Sequence, residues 1–420
     1  MKITQTALAC ALLLAIARET QAQYWTTPAP VTLPSIPSGT FNITSYGAST
    51  SSPNNATAIQ NAINTAAAAG GGTVQVPAGT FLTGPIHLTN NINLNLASGA
   101  TLKMLPYGVW PGSTFFITCY RSHDVEISGA GTIDGQGQAW WNAFAANPAL
   151  ARPVQMDLGA ITGLEITGIR LQNSPSPHIR LNYNTNVTVT SVTIYTVPAP
   201  GQSPAKNTDG VDMGNLFKVY FANNSITCGD DNVVTGGKYI DVENCTFGAG
   251  HGCSIGSHTE DGVSFVTVHN CTFNGTTVGI RMKSARGQGG VVQYLAYNNN
   301  TMTSVPHPIW ISSYYPADPT DPTLDSGETY TSTTPVWKHI KVQSLTATGS
   351  TDAGTLFGLP ESRISDVTFD NVKISATTGM NIYHANSIVF TNGSSVSVSS
   401  GYPVTIYDAT VSGISTHIYP

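Results

Sequence analysis

Four short stretches in the middle of the chain carry residues that could do chemistry: Asn207-Thr208-Asp209-Gly210, Gly229-Asp230-Asp231, Gly250-His251-Gly252 and Arg281-Met282-Lys283. The whole sequence holds only 23 acidic and 17 basic residues, so acids that fall together are informative. Like-charged carboxylates held close raise the pKa of one member. That supplies a protonated acid beside an ionised base, the equipment for cleaving a glycosidic bond. An Arg and a Lys two residues apart point to the same face of a strand, where they would bind an anionic sugar, Arg through two parallel bonds. Each piece has a plainer reading: Asp230-Asp231 as a solvated turn, His251 as a packed core histidine, Arg281 with Lys283 as an exposed strand face. Their common phase on a repeat decides between the two.

That repeat is an eight-residue phrase: apolar, any, apolar, any, a small or amide residue, two more, apolar. It occurs at Leu164–Leu171, Val187–Ile194, Val219–Ile226, Ile240–Phe247, Val266–Phe273, Leu295–Met302, Ile340–Ala347 and Val367–Ile374. Positions 1 and 3 have the period of a strand. Position 5 is Gly168, Ser191, Asn223, Asn244, Asn270, Asn299, Ser344 or Asn371, types that favour or tolerate a left-handed bend. Short strands, a bend at fixed phase and a period in the twenties describe the coils of a parallel β-helix. Sandwiches and propellers also have many short strands, but hairpin turns are scarce here and propeller repeats are longer. Asp230 and His251 each lie seven residues beyond a bend residue, Asn223 and Asn244. Stacked strands lie about 4.8 Å apart, so equal phase puts the imidazole beside the carboxylates. Asp209 falls one coil before them, and Arg281 with Lys283 one coil after His251. The same phase leads us to expect Asn223, Asn244, Asn270 and Asn299 at an inner bend, structural rather than glycosylated although each begins a sequon. Asn42, Asn55, Asn186, Asn274 and Asn392 are then the expected acceptors. A helix is expected from Asn55 to Ala66, with Ala58, Ile59, Ala62, Ile63 and Ala66 on one face, stopped by Gly70 and capping the open end of the solenoid. Pro316–Pro335 reads as a long surface loop within one copy of the repeat.

Composition agrees with an all-β chain. Charged residues make up 10 % of the sequence, against about a quarter in an ordinary globular protein. Long amphipathic helices and coiled coils need charged outer faces. With 40 % hydrophobic residues and a net charge of −6, disorder is also excluded. Lys and Arg nowhere form a run, which removes the electrostatic basis for nucleic-acid binding. Residues 1–22 read as a secretory signal peptide, too short in its apolar run to span a bilayer, and no other segment is apolar enough for a membrane. Without it the chain has 15 basic and 22 acidic residues, and five cysteines remain, so at least one thiol is unpaired. No pair of them has zinc-site spacing. Residues 23–420 are expected to form one β-helix catalytic domain.

On these four motifs, and on "GAGHGCSIGS", "FNITSYGA" and "GGGTVQVPAGTFLTGPI", the sequence resembles glycoside hydrolase family 28, the polygalacturonases and their relatives, over nearly the whole mature chain. The resemblance implies a single-stranded right-handed parallel β-helix and a secreted enzyme that hydrolyses α-1,4-linked galacturonan with inversion. It implies no metal and no cofactor, polygalacturonate or pectin as partner, and a monomer. Carried to the matching positions, it makes Asp230 the acid that protonates the leaving oxygen. Asp209 and Asp231 activate the water, and His251 sets the proton and charge state of Asp230. Asn207, Arg281, Lys283 and Tyr315 bind substrate, Tyr315 through "HPIWISSYYP". Met282 stands where isoleucine is usual and should face the core. Asn232 stands where fungal members have a cysteine, so their nearby disulfide is absent and the chain looks closer to bacterial members. The His-centred and Arg-x-Lys motifs favour galacturonate on both sides of the cut over a rhamnogalacturonan substrate. A hydrolase of substituted pectin such as xylogalacturonan, a calcium-dependent pectate lyase and a non-catalytic carbohydrate-binding β-helix are the alternatives, and endo or exo cleavage is left open.

Overall fold

The computed structural model describes residues 30–420. The signal peptide read at 1–22, and Cys10 within it, lie outside the described residues. Almost every strand pairs in parallel with the strands one coil before and one coil after it, as in a solenoid, with the right-handed crossover of parallel strands. The eight phrases stack in direct register: Leu164, Val187, Val219, Ile240, Val266, Leu295, Ile340 and Val367 are successive partners. Their last positions, Leu171 to Ile374, form a second continuous row. Further coils flank the series, beginning with one on each side. Val125 and Ile388 continue the first row, and Ile133 and Val396 the second. Each of these coils has one more residue between the two rows, which breaks the eight-residue phrase without breaking the stack.

All eight position-5 residues have positive φ, between 51° and 74°. Their expected inward placement is wrong for the asparagines. Asn223, Asn244, Asn270 and Asn299 are exposed, and the inward position is the next residue. That buried row reads Ile169, Val192, Asn224, Cys245, Cys271, Asn300, Leu345 and Val372. A left-handed residue reverses the side-chain phase at the corner, so the bend residue faces water and its successor faces the core. Of the outer asparagines, Asn299 and Asn270 pair, Asn299 Nδ2 donating to Asn270 Oδ1 at 2.7 Å. The inner ones serve the backbone: Asn224 Nδ2 donates to the Val189 carbonyl at 2.9 Å while its Oδ1 accepts from Val192 N–H at 2.9 Å. Burial therefore no longer counts against glycosylation of the four sequons. Cys119, Cys228, Cys245, Cys253 and Cys271 are all buried free thiols.

One lateral sheet forms the floor of the site. Its strands are β1 (Val154–Gly159), β2 (Ile179–Asn182), β3 (Val211–Gly214), β4 (Val233–Val234), β5 (Cys253–Ile255), β6 (Val278–Lys283) and β7 (His307–Ser312). Across it one outward row runs Asp157, Arg180, Asp212, Val234, Ser254, Arg281, Trp310. Helix α1 (Ala56–Ala68) buries Ile59, Ala62, Ile63 and Ala66 over the first coils, as the apolar spacing requires. Helix α2 (Gly137–Ala146), absent from the sequence reading, is anchored by the buried Trp141, whose Nε1 donates to the Ser174 carbonyl at 3.0 Å. The Pro316–Pro335 segment is a surface excursion pinned by Arg286, which bonds Asp325 and Glu361.

Candidate active site

The turns entering β3, β4 and β5 bring Asp209, Asp230-Asp231 and His251 to one edge of this floor. The chain crowds here: a Cβ on Gly229 would lie 1.9 Å from the Ala205 carbonyl oxygen, so only glycine lets the Asp230 turn stack on the coil before it. His251 N–H donates to the Asp230 carbonyl at 2.8 Å, which places the two side chains on adjacent coils in equal phase. Asn232 completes the brace. Its Oδ1 accepts from Gly252 N–H at 2.8 Å and its Nδ2 donates to the Ile226 carbonyl at 3.0 Å. Under Asp209, the fully buried His178 has Nδ1 2.9 Å from the Asp209 carbonyl oxygen and Nε2 2.7 Å from Thr196 Oγ1. Burial lowers the His178 pKa to about 4, so the ring is neutral, with Nδ1–H donating to the Asp209 carbonyl.

Asp231 is the most enclosed carboxylate, with 2 % of its side chain exposed. Its Oδ1 accepts from Ser254 Oγ at 2.6 Å and Arg281 Nη1 at 2.7 Å, and its Oδ2 from Lys283 Nζ at 2.7 Å. Arg281 and Lys283 thus share a face as their spacing requires, and both turn back onto Asp231. Met282 between them is fully buried. Asp230 is more open. Its Oδ1 accepts from Asp231 N–H at 2.9 Å and lies 3.0 Å from His251 Nδ1, and Asn207 Nδ2 approaches its Oδ2 at 3.3 Å. Tyr315 follows β7, its ring centroid 5.3 Å from Lys283 Nζ. Trp310 holds the same relation to Arg281 at 5.4 Å. Together with His307, Asp318 and Asp352 these residues line a recess of about 440 Å³ beyond the carboxylates.

The electrostatics separate the acids. Burial pushes the Asp209 pKa well up, and the negative charges of Asp212, Asp230 and Asp231 add to it. Burial also opposes ionisation of Asp230, but the bond to His251 and the charges of His251 and Lys283 outweigh it, and its pKa falls below the ordinary value. Asp212 was not singled out by the sequence. It lies on β3 between Arg180 and Val234, its Oδ1 is buried without a hydrogen-bond partner, and burial with the charges of Asp231 and Asp230 raises its pKa to about 7. Asp209 and Asp212 are therefore the carboxylates whose surroundings favour the protonated form. The signal for Asp212 was its place three residues after Asp209, at the start of the strand that Asp209 precedes. Ser254 was likewise visible only once β5 was in register with β6. Ligand atoms of Asp230, Asp231 and His251 lie within 4.8 Å of one another. Arg281 and Lys283 already neutralise Asp231, so a divalent ion would meet two fixed cations; the donor set does not fit a metal.

Comparison with known proteins places this geometry. Residues 68–412 match the family model described as glycosyl hydrolases family 28. The chain is 30 % identical over 366 residues to an endo-polygalacturonase of Pectobacterium parmentieri, covering 78 % of this chain and 86 % of that protein. It is also 30 % identical over 301 residues to an exopolygalacturonase of Zea mays, covering 66 % of this chain and 71 % of that protein. The solved polygalacturonase from Erwinia carotovora superposes with a TM-score of 0.71 at 27 % identity, over 87 % of this chain and 99 % of that one. With its motifs in order on successive coils of one parallel β-helix, the chain belongs to glycosyl hydrolase family 28.

Proposed function

We propose that this protein hydrolyses the α-1,4-galacturonosyl linkages of polygalacturonate with inversion at the anomeric carbon. The observation that carries the reading is the separation of the acids: Asp230 at the open edge against His251, and Asp231 locked between two cations. In this scheme Asp230 donates a proton to the leaving glycosidic oxygen, while Asp209 and Asp231 orient and deprotonate the attacking water. Asp230 must then hold a proton when substrate is bound, although His251 and Lys283 favour its ionised form in the free site. A bound uronate supplies that change. Its negative charge repels the Asp230 carboxylate and screens the field of Lys283, and both effects raise the Asp230 pKa. Asp209, whose burial favours its protonated form, is the source of that proton in this scheme, and giving it up leaves Asp209 the ionised base. Arg281, Lys283, Asn207 and Tyr315 contact the sugars beside the cut, Arg281 and Lys283 through the substrate carboxylates.

The reading includes export directed by residues 1–22 and action as a monomer, since one chain contributes every residue of the site. The test is product analysis on polygalacturonate with chelator present. New reducing ends without unsaturated sugars support hydrolysis; unsaturated products that require calcium would overturn it. The same products, a ladder of oligomers or monomer and dimer from the first minutes, separate internal from terminal cleavage.

A further inference from the structure

Both cations that the motifs supply, Arg281 and Lys283, lie on the C-terminal side of Asp230. A polyuronate carries one carboxylate per sugar, so a chain crossing the cut presents negative charge on the other side as well. Arg180 on that side is neutralised by Asp157 at 2.6 Å. Arg152 is different. Its Nη1 donates to the carbonyls of Pro175 at 2.9 Å and Lys206 at 2.6 Å, and its Nη2 to Asn207 Oδ1 at 3.0 Å, all neutral acceptors. Its guanidinium carbon sits 3.7 Å from the centroid of the Phe144 ring, supplied by α2. A guanidinium has five N–H donors. Three are engaged, and Nε, which has no protein partner, is not among the fully buried atoms. The lip of the cleft is a continuous polar row: Arg152 to Asn207, Asn207 to Asp230, Asp230 to His251.

We propose that Arg152 binds the carboxylate of the sugar on the side of the scissile bond opposite Arg281 and Lys283. This rests on the polygalacturonase reading above. The side chain feels the charge of Asp209 but forms no ion pair with it; it is held rigidly by two backbone carbonyls and an aromatic face, one side chain removed from the Asp230 carboxylate. Asn207 is shared by both, its Oδ1 accepting from Arg152 while its Nδ2 faces Asp230. The competing role is purely structural, a tie between the Pro175 and Lys206 turns.

The test uses Arg152→Gln, Arg152→Lys and Phe144→Leu in the full chain, with KM and kcat measured on polygalacturonate at increasing NaCl. Losing a charge-assisted contact should raise KM roughly 10- to 100-fold in Arg152→Gln, with kcat changed much less. The rise of KM with salt should also become shallower, because one ionic contact is gone. Arg152→Lys should recover the salt dependence while regaining only part of the affinity, and Phe144→Leu should raise KM by a few fold. On a carboxyl-reduced polymer the wild type and Arg152→Gln should not differ. An unchanged KM, or a rise with the wild-type salt dependence that also appears on the carboxyl-reduced polymer, would overturn the assignment in favour of the structural tie. A wild type inert on polygalacturonate would instead defeat the hydrolase reading, and this inference with it.

Discussion

Replacing Lys283 by Met removes one charge from the centre of the site and keeps most of the side-chain volume. Lys283 is 9 % exposed and Asp231 2 %, so this is a buried pair. Lys283 Nζ is the partner of Asp231 Oδ2 at 2.7 Å, whereas Oδ1 keeps both Ser254 and Arg281. Breaking a buried pair by removing one partner costs about 3–5 kcal/mol, because the other charge is left uncompensated. Arg281 still balances part of the Asp231 charge, which places Lys283→Met at the lower end, about 3 kcal/mol at pH 7. The assay is urea unfolding followed by tryptophan fluorescence, wild type against Lys283→Met, at pH 7. A loss below about 0.5 kcal/mol, the size of an exposed pair, would refute the reasoning.

Two other expectations concern the interior. The Asp212 pKa is raised by burial and by Asp231 and Asp230 to about 7, from an unfolded value near 3.8. Between those values the folded protein holds a proton that the unfolded chain has released, so stability falls as pH rises through that window. Asp212→Asn should flatten the fall between pH 5 and pH 8 by on the order of 2–4 kcal/mol; parallel stability–pH curves for the two proteins would contradict this. The five buried thiols should be unreactive toward a thiol reagent in the native protein and all titrate in guanidinium. A native protein that reacts rapidly, or a denatured one that yields fewer, would contradict the free and buried assignment.

Much of the fold was legible because a β-helix writes the same physical requirement once per coil. The apolar first, third and eighth positions of the phrase are core positions, and their equal spacing fixed the register from Leu164 to Val367 without knowledge of the loops between. The flanking coils at Val125 and Ile388 escaped because one added residue at the corner breaks the phrase while the coil still stacks. The inward and outward sense of the corner was misread because Asn suits both places. It tolerates positive φ at Asn223, and at Asn224 its amide satisfies the backbone. Asp230, His251, Arg281 and Lys283 stood out because they are rare residue types in equal phase. Asp212, Ser254 and Arg152 did not, since what sets each apart is its surroundings on other coils: Arg152 reaches to Asn207, a contact no spacing along the chain reports. Helix α2, which carries Phe144 beneath Arg152, interrupts the repeat and has no phase of its own to read.

The central claim, that Asp230 is the acid of a hydrolytic cut, is tested most directly by Asp230→Asn assayed on polygalacturonate. Asn keeps the shape of the side chain and can still meet Asn207 and His251, but it has no proton to give to the leaving oxygen. The account predicts a folded protein with the wild-type melting profile and a kcat lowered by roughly 10²–10⁴. Full hydrolytic activity in Asp230→Asn would contradict it.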